Sequence, residues 1–110
     1  MINDIIAGIE SRIRQTEAIR KEEKDELIKL LSELRSEVTG LSETHKEQAE
    51  SIARFTQVST HEATRSEKDS RLIGISVDGL TSSVEGFESS HPRLVQIVNR
   101  ISAMLADLGI

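Results

Sequence analysis

The sequence predicts an all-α protein. Three observations carry this: a single proline and two aromatic residues in 110, charged residues at 30%, and apolar residues that recur three and four apart over most of the length. A chain of this size forms one small domain, with no room for a catalytic domain beside an accessory one.

The first element is a short helix over about residues 2–15, marked by the stripe Ile2, Ile5, Ile6, Ile9 and Ile13. The charge-rich stretch that follows has no seam, which places a turn near Thr16 to Lys21. This helix is then expected to fold back along residues 24–38 and to meet the C-terminal helix as well. From Leu27 the positions Leu27, Leu31, Leu34, Val38, Leu41, His45, Gln48, Ile52, Phe55, Ser59 and Glu62 alternate four and three, a heptad register. No proline interrupts this run, so the simplest expectation is one long helix over about 22–64.

Polar residues at about 65–70 form a turn, with Asp69 or Ser70 available as a cap. A second series runs Ile73, Val77, Leu80, Val84, Phe87, His91, Leu94, Val98, Ile101, Leu105 and Leu108. Pro92 must kink or divide it, because proline lacks an amide donor and clashes with the preceding turn. The expectation is a helix over about 71–90 and another over about 91–108. A short connection makes its helices antiparallel neighbours, so the two series pair as a long coiled-coil-like hairpin. If Glu62 faces Ile73, then Phe55 meets Leu80, His45 meets His91 and Leu27 meets Leu108.

Composition narrows the function. With no cysteine there is no disulfide framework, thiolate metal site or cysteine nucleophile. The net charge of −5 and the scarcity of aromatics oppose nucleic-acid binding. An acid near the N-terminus and the lack of a long apolar run predict neither a signal peptide nor a membrane span, so a cytoplasmic location is expected. No nucleophile elbow and no phosphate-binding glycine loop is visible. No enzymatic activity, catalytic residue or cofactor is expected.

The residues Phe87-Glu88-Ser89-Ser90-His91-Pro92-Arg93-Leu94, then Val98, Ile101, Leu105 and the closing Leu108-Gly109-Ile110, resemble the C-terminal motif of a small bacterial family known as domain of unknown function 4404. The resemblance implies a short, all-helical bacterial protein and brings no activity with it.

The functional expectation is therefore self-association, a dimer being favoured, or binding of an unidentified protein partner, with no nucleic acid and no membrane. The seam that would carry it is Leu27, Leu31, Leu34, Val38, Leu41, Ile52, Phe55, Leu80, Val84, Phe87, Leu94, Val98, Ile101 and Leu105. The alternative is a metal or small-ligand bundle using His45, Glu88 and His91, within one chain or shared between two, since Glu88 and His91 stand at the Glu-x-x-His spacing of carboxylate-bridged metal bundles. A histidine layer could instead fix register.

Overall fold

The computed structural model describes residues 1–109. Five helices follow one another: α1 (Ile2–Gln15), α2 (Lys21–Leu41), α3 (Lys46–Thr64), α4 (Ser70–Ser82) and α5 (Pro92–Leu108). No strand occurs among the described residues. None of these helices is long and apolar enough to cross a membrane.

The isoleucine stripe makes α1 amphipathic, and Ile6, Ile9 and Ile13 are buried. The turn after it carries Ile19, also buried, so the connection is pinned by an apolar anchor. In α2 the residues Leu27, Leu30, Leu31, Leu34, Val38 and Leu41 face inward. Leu94, Ile97, Val98, Ile101 and Leu105 do the same in α5. Pro92 stands in the first turn of α5, where its missing amide would have no partner and its fixed φ suits the helix. Asp69 caps α4 by accepting a hydrogen bond from the Arg71 amide at 2.9 Å.

The expected single helix over 22–64 is broken at Ser42–His45. A straight helix of that length would run about 65 Å, whereas the longest dimension of the molecule is 37 Å. Hydroxyls assist the stop: Ser42 Oγ donates to the Thr39 carbonyl at 2.7 Å and Thr44 Oγ1 to the Leu41 carbonyl at 3.4 Å. Such side chains compete with the helix for its own carbonyls. The break lets α3 turn back against α1, α2, α4 and α5.

The expected helix over 71–90 is likewise shorter, because α4 ends at Ser82. Ser83 Oγ takes the Leu80 carbonyl at 2.6 Å, and Gly86 adopts φ +95°, a conformation that glycine holds without a steric penalty. Pro92 thus stands at the start of a separate helix, after a nine-residue connection (83–91).

The helix contacts form a closed pattern. α2 packs on α1, α3 and α5, and α4 packs on α3 and α5. Among the described residues α1 makes no packing contact with α5, contrary to the expectation for the N-terminal helix. α1 instead packs on α2 and on α3, which the break has released to lie there.

Thirteen of the fourteen seam residues are buried. Phe55 is the exception at 40% exposure. The inward face of α3 is built from Ala49, Ile52, Ala53, Thr56, Ser59, Thr60 and Ala63. These small side chains let α3 approach its neighbours closely, and their rotation about the helix leaves Phe55 on the outer side.

Gly74, in the middle of α4, has open space where a side chain would stand. Alanine there loses less backbone entropy on folding and is expected to stabilise the protein by about 0.5–1 kcal/mol. A rise in thermal midpoint of the Gly74→Ala variant, followed by circular dichroism, checks this.

Candidate functional site

The sequence contains two similar helix starts, Leu41-Ser-Glu-Thr-His45-Lys and Phe87-Glu-Ser-Ser-His91-Pro. In both, a three-residue turn leads to a histidine that immediately precedes a helix. The backbones match closely: His45 has φ −135° and ψ 62°, and His91 has φ −138° and ψ 61°. Each amide reaches back to the carbonyl four residues earlier, His45 to Leu41 and His91 to Phe87, both at 2.8 Å. Each ring is held by the hydroxyl of the preceding residue, Thr44 Oγ1 to His45 Nδ1 at 2.8 Å and Ser90 Oγ to His91 Nδ1 at 2.9 Å.

The fold brings these two starts together. The ring centroids of His45 and His91 lie 6.3 Å apart, and both rings meet Phe87 edge to face, at 5.5 and 5.4 Å. Phe87 is 9% exposed and closes the inner side of the layer, whereas both histidines are half-buried. The third residue of the sequence alternative does not join them. Glu88 is exposed, and its Oε1 accepts the Gly86 amide at 2.9 Å, which fixes the carboxylate on its own turn. No group of three or more histidine, aspartate or glutamate side chains positioned to hold a metal ion occurs among the described residues.

One ion pair was missed by the sequence reading. Glu10 is buried at 3% exposure on the inner side of α1, and Arg35 of α2 reaches it through Nη2. The signal was available: Glu10 stands four residues after Ile6 and three before Ile13, inside the apolar stripe, where a carboxylate needs a partner. Other ion pairs are more exposed. Arg93 pairs with Glu33 at 3.3 Å and Glu37 at 3.8 Å, and Arg100 with Glu26, which ties the polar flanks of α5 and α2. Arg65 is raised above its ordinary pKa by its hydrogen bond to Glu62 and by that carboxylate's charge.

Two surface grooves accompany these features. One, of about 430 Å³, lies between α2 and α5 and is floored by Leu30 and Ile97 beneath the ion pairs just described. The other, of about 490 Å³, lies between α1 and α3 and includes Ile9, Arg12, Val58 and His61. Arg12 Nε is already committed to Thr64 Oγ1 at 2.8 Å.

The outer side of α3 and α4 presents the remaining distinctive surface. Phe55 and Val58 are 40% and 46% exposed on α3, and Ile75 is 62% exposed on α4. The Phe55 ring lies over Gly79, so close that a β-carbon there would stand 2.5 Å from Cε1. Ile75 is one helical turn from Gly79, and Val58 is three residues from Phe55, so the three apolar side chains occupy one face.

No curated protein and no solved structure matches the chain significantly. A family model described as a domain of unknown function (DUF4404) matches residues 2–110. Of the C-terminal motif, Ile110 lies outside the described residues. With its whole length but the first residue matched, the chain belongs to the DUF4404 family.

Proposed function

We propose that the protein is a non-enzymatic helical bundle whose role is association, first with a second copy of itself. The observation that supports this is the exposed apolar face of Phe55, Val58 and Ile75. The leucines and isoleucines of the heptad seam are engaged in the chain's own core, so a partner would use this outer face instead. The same face has charges of both signs around it: Arg54 beside Phe55, and Arg71 and Asp78 on the α4 side, all exposed. A two-fold dimer needs a patch that complements itself, and mixed charge around an apolar centre meets that requirement. Burial of the three side chains would contribute roughly 25 cal/mol for each Å² of apolar surface removed from water.

The test is molar mass in solution by light scattering on a sizing column, with refractive-index detection because the chain has no Trp or Tyr. The expected result is about twice the chain mass of 12.2 kDa, with Val58→Glu combined with Ile75→Glu shifting the protein to a monomer of unchanged helicity. A monomer for the unsubstituted chain at all accessible concentrations overturns the reading.

A further inference from the structure

We propose that His45 and His91 form a two-histidine chelate for a divalent transition-metal ion such as zinc, within one chain, at the level where both arms of the bundle break. Four observations converge on it. The rings approach each other to 6.3 Å between centroids. Two imidazole nitrogens at about 2.0–2.1 Å from one tetrahedral zinc ion set their rings roughly 5–6 Å apart. The difference is on the order of 1 Å, within reach of small χ rotations in half-buried side chains.

The second observation is which nitrogen is free. Both rings use Nδ1 toward the hydroxyl of the preceding residue. Neither Nε2 forms a hydrogen bond to a protein group among the described residues. A hydroxyl both donates and accepts, so Thr44 and Ser90 can receive an Nδ1–H when Nε2 turns its lone pair to a metal. That outer hydrogen bond orients a metal-bound histidine and sharpens its ligand character.

Third, the cluster is backed by a rigid wall. Phe87 stands edge to face against both imidazoles, which restricts their orientations before a ligand arrives. Fourth, each histidine is set by a backbone turn with the same φ and ψ. The backbone positions of the two ligands are therefore set by the fold, and only the short imidazole side chains adjust.

The chemistry selects the occupant class. Two neutral imidazoles suit zinc, copper and nickel, and disfavour magnesium and calcium, which take oxygen ligands. Glu88 is engaged with Gly86, so water completes the coordination. With two protein ligands the site binds more weakly than the closed four-ligand type. Its physical consequence is a clip between the α2–α3 turn and the α4–α5 connection. An ion bound only to the folded chain raises its stability by mass action.

Zinc sulfate titrated into the full chain by calorimetry, in a buffer that does not chelate, tests the assignment. One ion per chain is expected, with affinity weakened about tenfold or more in His45→Asn and in His91→Asn; asparagine removes the imidazole and is a favourable residue at the N-cap positions both histidines hold. The unsubstituted chain supplies a second measurement should either variant fail to fold. In its nuclear magnetic resonance spectrum the ring signals of His45 and His91 are expected to shift together on zinc addition, ahead of His61. Four results overturn the proposal: no zinc binding at millimolar metal, undiminished binding in either folded variant, ring shifts that begin at His61, or half an ion per chain, since the ligands would then come from two copies.

Discussion

Ile101→Ala is expected to destabilise the protein by about 4 kcal/mol, the largest single effect among these predictions. Ile101 is fully buried in α5, and α5 packs on α2, α3 and α4. The lost transfer free energy of the removed carbons is one part of the cost. The other is the cavity, because a site enclosed on several sides collapses only partially. Native domains of this size are stable by only about 5–15 kcal/mol, so the variant forfeits a large share of its margin. Its thermal midpoint should fall by roughly 15 °C, at about 4 °C per kcal/mol. Urea unfolding read by far-ultraviolet circular dichroism gives the free-energy difference directly, and the absence of Trp and Tyr makes that probe the practical one. A loss below about 1 kcal/mol would mean that the core around Ile101 is loosely packed.

The helical class and most of the buried positions were legible because apolar spacing is a direct physical trace of which helix face leaves water. The two breaks were not. Four residues, Ser42 to His45, interrupt the helix, yet Leu41, His45, Gln48 and Ile52 keep the alternation of four and three, so the register passes through the break unmarked. The hydroxyl residues of α3 are a second case. Ser59 stands on the seam, and Thr56, Thr60 and Thr64, which the seam does not include, are buried with it. Thr56 and Thr64 donate to the carbonyls of Ile52 and Thr60, both at 2.7 Å, and Ser59 donates to that of Phe55 at 2.7 Å. With the donor satisfied inside its own helix, each side chain packs as a small, nearly apolar group. The spacing placed Phe55 on the seam, whereas the small residues beside it form the contact.

At the candidate site, the register that opposed His45 to His91 anticipated their proximity. It contained no information about hydrogen bonds. Glu88 shares a sequence spacing with His91, but the turn before α5 is not helical, so the rule that places residues three apart on one face does not apply there. The Gly86 amide, freed by the turn, takes that carboxylate instead.

Arg35→Leu is expected to cost about 3 kcal/mol, because it leaves the Glu10 carboxylate buried without its cation. The two partners are unequally placed: the Glu10 side chain is 4% exposed and that of Arg35 40%. Arg35 keeps part of its hydration in the folded state, whereas Glu10 gives up nearly all of its own, so the desolvation cost falls mainly on the carboxylate. Removing the arginine therefore exposes that cost, and Glu10→Leu should be much milder, since a half-exposed guanidinium can return to water. Leucine at position 10 would also extend the apolar surface formed by Ile6, Ile9 and Ile13 on α1. The double variant Glu10→Leu with Arg35→Leu is expected to recover most of the loss and to lie within about 1 kcal/mol of the parent. Urea unfolding of the four proteins closes a double-mutant cycle whose coupling energy isolates the pair. If the two single variants lose equal stability and the double loses their sum, Arg35 acts through packing of its aliphatic stem, and the ion pair does not hold α1 against α2.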